Sequence, residues 1–121
     1  MNIGKFNKII PKICNKNTSS NPKDWSENNP TQGHCAVVSL LAQEIFGGDI
    51  VRVSLLGTPY KKMRSHYFNI INGKEHDFTS SQFKENPYFN LIRQNKTRDK
   101  ILSLADTKRR YTLLKTRFMK Y

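Results

Sequence analysis

The stretch from His66 to Phe78 reads HYFNII, then Asn72-Gly73, then KEHDF, and no other part of the chain limits its fold so tightly. Two strand-like runs joined by Asn-Gly predict a tight hairpin, because both central residues of a type I′ turn need positive φ. A two-residue turn leaves one register. Ile71 falls opposite Lys74, Phe68 opposite Asp77 and His66 opposite Thr79. Side chains two apart share a face, so His66, Phe68, Asp77 and Thr79 point one way and His76 the other. His66 and Asp77 are then diagonal cross-strand neighbours, roughly 7–8 Å apart at the backbone and within side-chain reach.

Around the hairpin the pattern alternates between helix and strand. Phe6, Ile9, Ile10 and Ile13 have the spacing of a short amphipathic helix, although Pro11 lies inside it. Residues 15–33 are rich in turn formers, with Trp25 as the large apolar anchor, and read as loop. A second helix opens near His34-Cys35, carries Val38, Leu41, Ala42 and Ile45 on one stripe, and stops at Gly47-Gly48. Ile50 to Leu56 reads as a strand and residues 57–64 as a basic loop. Thr79-Ser80-Ser81-Gln82 has the form of a capping box, which predicts a helix or helical turn soon interrupted by Pro87. Ile101 and Leu104 mark one more helical turn. Asp106 or Thr107 is placed to cap a last helix whose apolar face is Tyr111, Leu114, Phe118 and Tyr121. The expectation is a single α+β domain over 1–121, its first 24 residues partly irregular: a Cys-bearing helix packed on a short antiparallel sheet, with a helical C-terminus.

A chain of 121 residues suits one domain with one core. No run nears the roughly 20 apolar residues of a membrane span, and the first residues lack a secretory cleavage pattern, so no membrane insertion is expected. Two cysteines, Cys14 and Cys35, are too few for a disulfide framework and point to a reducing, cytoplasmic setting. Neither has zinc-finger spacing, so neither a metal nor a cofactor is expected. The formal net charge of +12 fits either a merely solvated basic surface or attraction to an acidic macromolecule. If that surface is functional, Lys61, Lys62 and Arg64 in one loop and Lys108, Arg109 and Arg110 in the last helix are the candidate contacts. They would serve a catalytically silent module that binds nucleic acid or an acidic protein, although no nucleic-acid-binding motif is present.

Cys35 opens the rival reading. A helix N-terminus stabilises a thiolate through its unpaired N–H groups and dipole, and a nucleophilic thiol needs an imidazole with an orienting acceptor beside it. The hairpin supplies both if His66 lies within about 4 Å of Cys35 and Asp77, which on this reading requires His66 to face the same side of the sheet as Cys35. Each residue has a plainer reading: a cysteine as small core filler, a strand-end histidine as a satisfied polar group, an aspartate as a turn cap.

An ordered set of residues is familiar. Trp25, Asn29 to Val38 (NPTQGHCAVV), Gly47-Gly48, Ser65 to Asn69 (SHYFN), Glu75 to Phe83 (EHDFTSSQF) and Arg110 to Leu114 (RYTLL) together resemble the bacterial YunG family. The resemblance covers most of the chain. It implies a compact α+β domain of papain-like or transglutaminase-like character with Cys, His and Asp in that order, and it implies no substrate. Family members often carry Gln where this chain has His34. Carried over residue by residue, it makes Cys35, His66 and Asp77 the candidate catalytic set. Asn29, six residues before the nucleophile, becomes an oxyanion donor beside the Cys35 N–H, with Gln32 as runner-up and Trp25 as a cleft wall. The implied chemistry is cysteine-dependent acyl transfer or amide hydrolysis (peptidase, deamidase or transglutaminase-like) on a protein or small amide, with no cofactor.

Overall fold

The Asn72-Gly73 turn forms with φ of 52° and 77°, and the strands it joins take the expected register. In this computed structural model, which describes residues 1–87 and 90–121, β2 (Ser65–Ile71) pairs with β3 (Lys74–His76) at Ile71–Lys74, Ile70–Glu75 and Asn69–His76. The ladder then ends. Asp77 Oδ1 accepts the Thr79 N–H at 3.0 Å, and this side-chain turn swings the chain out of the sheet into a 3-10 turn at Ser80–Gln82. The expected pairs Phe68–Asp77 and His66–Thr79 are therefore not ladder pairs. The capping-box expectation shrinks to that single turn, because the Thr79 hydroxyl is engaged with Asp77 and with Gln82 Nε2 rather than with a helix N-terminus.

On its other side β2 pairs with β1 (Asp49–Ser54), and β1 pairs with β4 (Arg93–Lys96), giving an antiparallel sheet in the order β3-β2-β1-β4. β4 reads Arg-Gln-Asn-Lys, has no β-branched residue, and was not foreseen as a strand. Its place at the sheet edge comes from hydrogen bonding to β1, not from propensity.

Ile50, Asn69 and Ile71 on one face of the sheet meet α2 (Cys35–Phe46), and the Asn69 side-chain amide donates to the Ser39 carbonyl at 3.0 Å. α4 (Ala105–Lys120) packs on α2 with Tyr111 and Leu114 buried. Its apolar face ends at Phe118, since Tyr121 is exposed. α4 begins two residues earlier than a cap at Asp106 would place it: Leu104 is its N-cap, and Asp106 sits in the first turn, where a carboxylate complements the helix dipole. α3 (Arg98–Leu102) buries Ile101.

The N-terminal helix is well formed over Ile3–Ile13 (α1), capped by Asn2 Oδ1 accepting the Lys5 N–H at 2.8 Å. Pro11 is tolerated because only two residues of helix follow it. Phe6, fully buried, docks α1 through edge-on contacts with Phe78 at 4.8 Å and Phe46 at 5.4 Å. The opposite face of the sheet carries a second cluster of Val51, Val53, Leu55, Phe68 and Phe83. Among the described residues no helix is long and apolar enough to cross a membrane.

Candidate active site

His66 is completely buried near the start of β2, under the edge of the Phe83 ring at 4.8 Å. Its Nε2 bonds Asp77 Oδ2 at 2.7 Å. The other carboxylate oxygen is held by the N–H and hydroxyl of Thr79, so the turn that ends β3 also fixes the acceptor's orientation. The Cys35 side chain lies near enough to the same imidazole to favour its charged form. Burial works to lower the His66 pKa, but the Asp77 bond and the interaction with Cys35 outweigh it and hold the ring up at about 9. The imidazolium is thus the favoured form at neutral pH.

Cys35 is the first residue of α2, and no side chain caps that helix end, so the first-turn N–H groups face outward from the helix. The loop leading to it is built tightly. Gly33 has a φ of 78°, and a Cβ there would meet Ser19 Oγ at 2.2 Å and the Ser20 nitrogen at 3.0 Å. Ser19 Oγ donates to the Gln32 carbonyl at 2.8 Å, and the Arg110 guanidinium reaches the Thr18 carbonyl at 3.4 Å. His34, also fully buried, lies 3.0 Å through Nδ1 from the Gln32 carbonyl and 2.6 Å through Nε2 from the Thr18 hydroxyl. A carbonyl only accepts, so Nδ1 carries the proton and, in the neutral ring, the Thr18 hydroxyl donates to Nε2. Burial pushes the His34 pKa down to about 4. His34 is therefore a neutral brace for the Cys35 loop.

His66 lies opposite Val53 in the sheet and shares its face with Phe68, the face away from α2. The expectation that Cys35 and His66 must face the same side is corrected here. Because β3 stops at His76, the first residues of β2 lack a β3 partner, and Cys35 lines a cleft with Ser65, the first of them. The Cys35 loop is pinned to the segment that crosses the edge: Thr31 Oγ1 lies 2.8 Å from Ser81 Oγ, and Gln82 Oε1 accepts the Gly33 N–H at 3.4 Å.

Cys35 is half-buried and lines a cleft of about 630 Å³ together with Arg52, Arg64, Tyr67, Lys96, Lys100 and Ile101, among others. Gln32 joins Cys35 along a smaller adjoining cleft of about 250 Å³, and the Gln32 side-chain Oε1 is buried without a hydrogen-bond partner. Asn29 lines a separate groove with Tyr60 and Phe83, and its Oδ1 is likewise buried and unbonded. Trp25 Nε1 donates to the Pro30 carbonyl at 2.8 Å, so its indole braces the loop and is not among the residues lining either cleft.

The basic candidates divide. Lys62 and Arg64 line the smaller cleft, and Lys61 and Lys108 are exposed. Arg109 pairs with Asp106 at 2.9 Å, and Arg110 is buried against the same carboxylate, which commits it to structure. Among the described residues no three His, Cys, Asp or Glu side chains cluster to hold a metal ion. Sequence reasoning missed Arg52, Lys96 and Lys100 as cleft residues, since only the strand order brings β1, β4 and α3 together there. It also missed Phe83 over His66, for which spacing carries no signal.

A family model described as "YunG protein" matches residues 2–121. A Bacillus subtilis (strain 168) protein described as "Uncharacterized protein YunG" is 34% identical over 76 residues, which take in 63% of this chain and 58% of that relative. The matched stretch thus spans little more than half of the relative's length. No solved structure matches the chain.

Proposed function

The chain belongs to the YunG family, and from the geometry of its site we propose that it is a cysteine-dependent acyl-transfer or amide-hydrolysing enzyme with a papain-like or transglutaminase-like set of Cys35, His66 and Asp77. The observation that carries the reading is one buried imidazole bonded to Asp77 at 2.7 Å, with the Cys35 side chain near enough to favour its charged form. With Nε2 held by Asp77, Nδ1 is the ring nitrogen presented to the thiol. His66 rests as the imidazolium beside Cys35.

The thiolate attacks a carbonyl carbon, and the developing oxyanion is received by the Cys35 N–H at the uncapped helix end, with the Gln32 side chain alongside. Gln32 is favoured over Asn29 because it shares a cleft with Cys35 and Asn29 does not. The His66 imidazolium then gives its proton to the leaving amine, leaving a thioester on Cys35. Neutral His66 next takes a proton from water or an acceptor amine, which attacks the thioester and restores the thiol system. Asp77 keeps the ring in one tautomer throughout.

The test is alkylation with iodoacetamide at pH 6, read by mass spectrometry. Cys35 labels rapidly, while Cys14, whose thiol burial pushes up to about 12, stays unlabelled. His66→Ala slows Cys35 labelling by at least about tenfold, as expected when an imidazolium partner is lost. Equal labelling of the two cysteines, or no effect of His66→Ala, would remove the proposal.

A further inference from the structure

The cleft beside Cys35 is lined by cations and by no carboxylate. Arg52 comes from β1, Arg64 from the loop end before β2, Lys96 from the end of β4 and Lys100 from α3. None of these four takes part in a salt bridge among the described residues. A fifth cation of the cleft, Arg110, is paired with Asp106; the other pairing acids are engaged elsewhere, Glu44 with Arg98 and Lys115, Glu75 with Arg93, and Asp77 with His66. Like charges brought from four elements to one concave wall repel one another. They also raise the local potential, and a bound anion relieves that repulsion. The rest of the wall is partly apolar, with Tyr67, Ile101 and Leu104. Its volume of about 630 Å³ suits a few side chains of an extended chain.

Resting on the reading of Cys35 as a nucleophile, we infer that the substrate is an acidic peptide, whose carboxylate side chains lie against Arg52, Arg64, Lys96 and Lys100 while Cys35 attacks an adjacent amide. A peptide fits where a nucleic acid does not, because the reacting thiol needs an acyl carbonyl and the apolar patch takes aliphatic stems. By contrast Arg93, Arg98, Arg109 and Arg110 each pair with a carboxylate.

The test compares iodoacetate, an anion, with iodoacetamide, its neutral counterpart, on the full chain. The ratio of their rates at Cys35 is referred to the same ratio for the chain unfolded in urea. The expected result is a ratio raised about tenfold on folding. In Arg52→Gln/Lys100→Gln it falls at least about twofold, the direction expected when two of the cleft's positive charges are removed. The change is confined to the anionic reagent, so the imidazolium of His66, present in every variant, does not account for it. Arg64→Gln, made separately, lowers the ratio in the same direction if the double variant folds poorly by circular dichroism.

A second arm asks what protects Cys35. A short glutamate-rich peptide slows iodoacetamide labelling more than a lysine-rich peptide or an oligothymidylate of equal charge. Rapid iodoacetamide labelling with a ratio indifferent to folding and to these substitutions overturns the acidic-substrate inference and leaves the nucleophile standing. Stronger protection by oligothymidylate overturns it in favour of nucleic acid. A Cys35 no more reactive to iodoacetamide than in the unfolded chain removes both.

Discussion

Replacing Gly33 by alanine tests whether the loop before Cys35 is as tightly built as its contacts imply. The residue sits at a φ of 78°, and an alanine forced into that left-handed region costs roughly 1–2 kcal/mol. The new Cβ also falls 2.2 Å from Ser19 Oγ and 3.0 Å from the Ser20 nitrogen. Ser19 is buried and cannot simply swing away. Its hydroxyl donates to the Gln32 carbonyl at 2.8 Å and accepts the Asn21 N–H at 3.1 Å. Displacing it leaves buried polar groups unsatisfied, which costs about 1–3 kcal/mol. Gly33→Ala should therefore lower unfolding free energy by about 3–4 kcal/mol. Gly57→Ala is the control, with a φ of 85° and nothing within 4 Å of its Cβ, so it bears only the backbone cost of roughly 1–2 kcal/mol. Urea unfolding of both variants separates the close approach from the strain. Equal losses in the two, within about 0.5 kcal/mol, would refute the argument that Ser19 and the Gly33 backbone are locked together.

The two buried histidines bound stability from opposite sides. His34, held down to about 4, stays neutral while the unfolded chain takes up a proton, so stability drops by up to about 3 kcal/mol as pH falls from 6.5 to 4. His66, held up at about 9, contributes fully below pH 6.5 and loses its contribution as pH rises through about 9. Urea midpoints against pH should peak near 6.5, and a curve flat between pH 4 and 9 would count against both assignments. Phe6→Ala leaves a cavity under Phe46 and Phe78 and should cost about 3–5 kcal/mol in the same assay, whereas a cost below about 1 kcal/mol would mean α1 is not part of the core.

How much of this was legible in the sequence follows from which interactions are local. The hairpin and the start of α2 were readable because Asn72-Gly73 and the Val38–Leu41–Ala42–Ile45 stripe specify backbone conformation within a few residues. That register also singled out His66 and Asp77, which do bond, although the ladder ends at His76 and a turn rather than cross-strand pairing sets the carboxylate. β4 was not readable, since Arg93 to Lys96 becomes a strand only when β1 offers it an edge. The face argument erred for a related reason. It treated the hairpin as a full ladder, but Asp77 turns the chain out of the sheet, so the start of β2 has no β3 partner. Asn29 was carried over from the resemblance by its place six residues before Cys35, while the turns between Ser26 and Gln32 place it along another groove and leave Gln32 sharing a cleft with Cys35.

The account stands most directly on the protonation state of His66, which side-chain nitrogen NMR reads against pH in the intact protein. The imidazole should remain protonated through neutral pH and titrate at about 9. In Asp77→Asn and in Cys35→Ser the titration should move down, because each removes a partner that favours the imidazolium. A His66 that titrates at or below 6.5 in the unaltered chain, and does not respond to either substitution, would contradict the buried imidazolium on which the proposed chemistry depends.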